Sequence, residues 1–136
     1  MNSASAGSLE SVSPKSNAIP VVFVVDDDIS VRESLESLIR FVGWQPETFA
    51  SAEEFLARPR VLTPSCLVLD VSLPELNGLE LQKLMAADRT GMPIIFITAQ
   101  RDETIRSRVL GQGATECLFK PFSDAALSDA VNAALE

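Results

Sequence analysis

The sequence predicts an α/β fold: a doubly wound, five-stranded parallel sheet with five helices. Three observations carry this. Short apolar runs at 21–25, 66–69, 94–97 and 117–119 are continuous rather than alternating, the mark of strands covered on both faces. Stretches with a helical apolar period lie between them. Strand and helix therefore alternate along the chain, as parallel crossover units require.

Residues 1–19 are rich in Ser, Ala and Asn and show no apolar period. They read as a disordered tail, which leaves 20–136 as the folded domain. The run 21–25 is the first strand. Val31, Leu35, Leu38, Ile39 and Val42 then share one helical face, and Gly43 can end that helix. Gln45-Pro46-Glu47-Thr48-Phe49 is a poorer strand whose proline suits a sheet edge. Ser51 and Glu54 have capping-box spacing ahead of Phe55 and Leu56, and Pro59 stops that short helix. After the strand at 66–69, Leu81, Leu84 and Met85 define a third helix. The strand at 94–97 leads to a weaker helix over 102–110, with Ile105 and Val109 inward. The strand at 117–119 precedes a last helix. Ser123 caps it, and its stripe is Leu127, Ala130, Val131, Ala134 and Leu135.

One domain fits 136 residues, and a hydrophobic content of 46% supplies its core. No apolar stretch approaches the roughly 18 residues of a membrane span. No charged start followed by an apolar block marks a signal peptide. Cys66 and Cys117 both lie within apolar runs and read as buried, reduced thiols, so a cytoplasmic protein is expected. The net charge of −8 argues against contact with nucleic acid by this domain. The chain has no histidine, which excludes His-based metal sites, Ser-His-Asp and Cys-His catalysis, and phosphohistidine carriage. Carboxylate, hydroxyl, amine and thiol chemistry are left.

Ligands of doubly wound sheets bind at the carboxyl ends of the strands, near the switch point. In the flavodoxin-like order 2-1-3-4-5, one of several windings that periodicity permits, that point lies between strands one and three. Asp26, Asp27 and Asp70 end those two strands. The same order sets Cys66 and Cys117 two strands, about 10 Å, apart, too far for a disulfide. Three converging carboxylates repel one another, and Mg²⁺ relieves this with one or two carboxylates, waters and phosphate oxygens. The plainer alternative is that Asp26-Asp27-Asp28 opens a loop and caps the first helix. Asp28 or Ser30 can do that capping, which frees Asp26 and Asp27. Thr98 and Lys120 end the fourth and fifth strands. A hydroxyl and an ammonium beside a carboxylate–metal site can hold a phosphoryl group. Either residue alone is weak; together, four of five strand ends carry complementary polar groups.

Four motifs then stand in order: Val24-Val25-Asp26-Asp27-Asp28, Leu69-Asp70-Val71-Ser72-Leu73-Pro74-Glu75-Leu76-Asn77-Gly78, Ile97-Thr98-Ala99 and Lys120-Pro121-Phe122. Over about 20–135 the chain resembles the receiver domain of bacterial response regulators, a CheY-like fold. Ser51-Ala52-Glu53-Glu54-Phe55-Leu56 resembles the FixJ-type branch, whose receivers usually precede a helix-turn-helix DNA-binding domain. The resemblance implies that Asp70 is the phosphoacceptor, fed by a sensor histidine kinase. It implies Mg²⁺ held by Asp26, Asp27, Asp70 and the backbone carbonyl of Ser72. Lys120 would pair with the phosphoryl group, and Thr98 would be the switch hydroxyl, with the small Ala99 leaving it room. The Lys120-Pro121 bond would be cis, and Gly78 would permit a tight backbone at the third helix. Ser72 and Gln100 would tune how water reaches the phosphoryl group. Phosphorylation would change the face of helix four, strand five and helix five, with homodimer formation as one outcome.

One position departs from the family. The aromatic residue usual three positions before the lysine is here Cys117. Either Cys117 is simply a small core residue, or activation proceeds without a swinging ring, through backbone and helix-four repacking. The expected function is a phosphorylation-dependent signalling switch, not an enzyme beyond its own phosphotransfer and slow autodephosphorylation. The alternative is a phosphate-independent interaction module on the same fold, whose sign would be loss of an acid, the lysine or the threonine. An aspartyl phosphohydrolase would want a second acid where Ser72 stands. A flavin module would want a phosphate loop where Asp26-Asp27-Asp28 stands. With no second domain after Lys120-Pro121-Phe122, the chain reads as a stand-alone receiver or as a piece of a longer regulator.

Overall fold

In a computed structural model of the chain, residues 19–59, 63–73, 77–88 and 91–136 are described, with backbone alone for 86–88. The expected tail thus lies outside the described residues apart from Ile19, as does Pro74-Glu75-Leu76 of the acceptor motif. The chain order is β1 (Val21–Val25), α1 (Ile29–Val42), β2 (Gln45–Phe49), α2 (Ala52–Ala57), β3 (Ser65–Asp70), α3 (Gly78–Asp88), β4 (Ile94–Thr98), α4 (Glu103–Gly111), β5 (Glu116–Phe119) and α5 (Asp124–Leu135). The strands form one parallel sheet, β2-β1-β3-β4-β5. This is the 2-1-3-4-5 order, with β1 and β3 side by side and the poorer strand on the edge.

The continuous apolar strands split their side chains between two cores. Phe23, Leu67, Leu69, Phe96 and Cys117 face α2, α3 and α4, where Phe55, Leu81, Met85 and Val109 meet them. Val22, Val24, Cys66, Val68, Ile95 and Ile97 face α1 and α5, against Leu35, Ile39, Leu127 and Val131. The two thiols therefore lie two strands apart and on opposite faces, and both are free. Burial pushes the Cys66 thiol up to about 12 and raises that of Cys117 as well.

Local chemistry sets the helix ends. Asp28 caps α1, its carboxylate accepting from the Ser30 N–H. Gly43 ends α1 at φ 110°, donating to the Arg40 and Ile39 carbonyls, and the Trp44 N–H follows onto Ile39. Ser51 accepts from the Glu54 N–H as expected, but Glu54 reaches back to the Ala50 N–H instead of that of Ser51. Asn77 and Glu80 form a reciprocal capping box at the start of α3.

Two expected core positions are corrected. Val42 is 41% exposed, because α1 ends there and Trp44 packs against that core just beyond the turn. Leu84 is 47% exposed, because the buried arc of α3 runs through Leu81, Gln82 and Met85. Gln82 is buried through hydrogen bonds, with its amide donating to the Val109 and Gln112 carbonyls at the end of α4. No described helix is long and apolar enough to cross a membrane.

Candidate functional site

The sheet order brings the ends of β1, β3, β4 and β5 to one edge, and the polar residues predicted for the site stand there. Asp26 follows the buried run of β1 and is itself fully buried. Such a carboxylate needs partners. One of its oxygens accepts from the Asp28 N–H at 2.9 Å, the other from Lys120 Nζ at 2.8 Å. Asp27 is exposed beside it. Asp70 ends β3 at 5% exposure, with Oδ1 accepting from the Ser72 N–H at 3.0 Å and Oδ2 lying 3.6 Å from Lys120 Nζ. One carboxylate oxygen from each of Asp26, Asp27 and Asp70 falls within a mutual 4.8 Å. Since Asp28 and not Asp26 or Asp27 caps α1, the plainer reading of the acid run does not use these two up.

Burial dominates the electrostatics of Asp70 and, with Asp26 and Asp27 adding repulsion, raises its carboxyl to about 6. The Ser72 N–H and Lys120 pull the other way. For Lys120, burial acts to lower the pKa, but the hydrogen bond to Asp26 and the charges of Asp70 and Asp26 outweigh it and raise the group. The ammonium is thus held charged between two acids. An all-oxygen, three-carboxylate cluster with a strained, buried member suits a hard divalent cation.

Thr98 ends β4, fully buried, and its hydroxyl accepts from the Gln100 N–H at 3.1 Å. Ala99 and Gln100 are exposed beyond it. The Lys120 N–H donates to the Thr98 carbonyl at 2.8 Å, which fixes the two strand ends together. The Lys120-Pro121 peptide is cis. At Gly78 an added Cβ would stand 2.5 Å from the Asp70 carbonyl oxygen and 3.1 Å from Phe96 and Val71, so only glycine fits where α3 meets β3. Cys117 does not reach this edge. It is 2% exposed, packed in the core beneath α4.

Three features were missed in the sequence. Arg32 Nη1 donates to the Asp26 carbonyl at 2.7 Å and anchors the acid loop to α1. Its signal was a lone arginine in the second turn after the acids. Phe119 carries two guanidinium groups near its ring, Arg101 at 5.7 Å and Arg106 at 5.9 Å. Strand alternation from Cys117 could have placed that ring on the α4 face. Gln82 gave no periodic signal, being polar within an apolar arc.

Comparison with known proteins gives a consistent result. The sequence profile of the response regulator receiver domain matches residues 22–132. Nodulation protein W of Bradyrhizobium diazoefficiens is 48% identical over 116 residues, covering 85% of this chain and 51% of that protein. Transcriptional regulatory protein TdiR of Thauera aromatica is 40% identical over 121 residues, covering 89% and 53%. Full-length FixJ from B. japonicum superposes with a TM-score of 0.78 at 34% identity, over 85% of this chain and 57% of that one. The chain spans about half the length of the curated relatives it matches.

Proposed function

The chain belongs to the response regulator receiver family, in its FixJ-like branch, and we propose that it is a switch thrown by phosphorylation of Asp70. The observation that carries this reading is the convergence of Asp26, Asp27 and Asp70 within 4.8 Å, with Lys120 Nζ at 2.8 Å from Asp26 and 3.6 Å from Asp70. On this reading a phosphohistidine of a sensor histidine kinase is the donor. An Asp70 carboxylate oxygen attacks phosphorus, and the P–N bond breaks with its electron pair passing to the imidazole. The acid must be ionised to attack, and a pKa of about 6 leaves it mostly so at neutral pH. Lys120 neutralises the transferred oxygens, and the Thr98 hydroxyl donates to one of them.

Asp26, Asp27 and Asp70, with the Ser72 carbonyl, are the residues that would hold Mg²⁺. When bound, that ion supplies charge neutralisation and orientation for the phosphoryl oxygens. Ser72 and Gln100, neither acidic nor basic, govern water access, so the chain's own catalysis stops at phosphotransfer and slow autodephosphorylation. The buried, free thiols fit a reducing cytoplasmic setting. The output is transcriptional, through a region beyond these residues such as the longer relatives have, and phosphorylation drives homodimerisation.

Incubation with a small phosphodonor and Mg²⁺ should add one phosphoryl group to the protein, and Asp70→Asn should abolish it. Uptake by Asp70→Asn at the native rate would sink the assignment. Sizing in beryllofluoride and Mg²⁺, a stable mimic of the acyl phosphate, tests association, and an unchanged mass rules out the dimer.

A further inference from the structure

The contacts around Phe119 have no part in phosphoryl chemistry, yet they join the site to α4. Alternation along β5 puts Cys117 and Phe119 on the same face of the sheet, with Leu118 on the other. Register pairs Phe119 with Thr98, itself on that face two residues after Phe96. The ring therefore stands beside the Thr98 side chain and one residue before Lys120. It is half-buried, unlike the fully packed Cys117 below it. Two cations lie near it: Arg101, in the loop after β4, and Arg106, in α4. Both distances are near the outer limit of about 6 Å for such contacts, so a small displacement makes or breaks them. Arg106 in turn pairs with Glu116 of β5 at 3.4 Å and Glu103 of α4 at 3.9 Å, while its Nε has no hydrogen-bond partner.

The loop carrying Arg101 is tied to Thr98 itself. The Gln100 N–H rests on the Thr98 hydroxyl, and the Asp102 N–H, at the cap of α4, rests on the Gln100 carbonyl. A Thr98 hydroxyl that moves towards a group on Asp70 must stretch or carry that tether. The loop, Arg101 and the first turn of α4 then shift together relative to a ring fixed on β5.

We propose that Phe119 is the positioning residue that couples Thr98 to α4, by exchanging its contacts with Arg101 and Arg106 when the phosphoryl site fills. This rests on the phosphoacceptor reading above. Cys117, a small side chain already packed, offers no ring face for a guanidinium to leave or take up. The ring one pleat further along, at the mouth of the site, does.

The test uses the whole chain, with beryllofluoride and Mg²⁺ as the probe. Fluorine NMR reports whether the probe is bound, and amide spectra report α4. In the native protein, bound probe should shift the amides of 103–111. Phe119→Leu should keep the bound-fluoride signal and lose the α4 shifts. Phe119→Tyr, which keeps a ring, should restore them. Arg101→Gln, at an exposed position with no folding risk, should diminish them. Full α4 shifts in Phe119→Leu, or loss of them in Phe119→Tyr with the probe still bound, would overturn the proposal. Absence of any bound-fluoride signal in the native chain would instead overturn the phosphoacceptor reading, and this one with it.

Discussion

Asp70 is held in a poor place for a charge. Its carboxyl has an ordinary value of 3.8 and is raised by burial to about 6. A group raised on folding favours the folded state while protonated. That contribution is full below about 4 and is lost as pH rises through about 6. The gap of roughly two units corresponds to at most about 3 kcal/mol. The ion-free domain should therefore carry a penalty at neutral pH that Asp70→Asn removes, gaining about 1–2 kcal/mol at pH 7.5 after losing its attraction to Lys120. Urea unfolding of both proteins at pH 7.5 and pH 4.5, without divalent ions, checks it. The difference should shrink at the lower pH, and a less stable Asp70→Asn at pH 7.5 refutes it. The strain that makes Asp70 costly also makes it receptive to a cation or a phosphoryl group.

Elements were legible in the sequence where apolar period and cap chemistry agreed. The Gly43 end of α1 and the Ser123 start of α5 follow from side-chain rules alone. Val42 and Leu84 did not, because a period says which residues share a face but not where the helix leaves the core, nor that a glutamine can occupy the buried arc. Gly78 was expected from family resemblance, and its physical reason became visible only with β3 and α3 together. A methyl group there would meet the Asp70 carbonyl, backbone that cannot turn aside. Gly78→Ala should cost about 1–3 kcal/mol. It should also slow phosphoryl uptake, since relief requires the end of β3 to move. Denaturation midpoints together with phosphodonor kinetics decide the matter; native values for both would show that the junction yields freely.

Over the whole molecule, the site is a product of winding order. Asp26, Asp27, Asp70, Thr98 and Lys120 are spread over 95 positions of sequence; the parallel sheet puts their strand ends on one edge, and the 2-1-3-4-5 order sets those ends side by side. Strand-end residue types were readable; their distances and the pairing of Lys120 with Asp26 were not, because those depend on register between strands remote in the chain. Gathering acids at one edge stores repulsion that the fold must hold against. A divalent cation that binds this edge only in the folded protein should therefore stabilise the entire domain. By mass action the gain is RT ln(1 + [L]/Kd), about 1.4 kcal/mol at ten times Kd. Urea titrations with and without MgCl₂, at matched ionic strength, should move the midpoint upward with an unchanged slope, since the surface exposed on unfolding is the same. The gain should fade as pH drops through about 6, where Asp70 takes a proton. It should fail in Asp27→Asn, whose exposed side chain can be replaced without disturbing the core. An equal shift from NaCl would identify charge screening and remove the metal from the account; so would a shift that persists in Asp27→Asn.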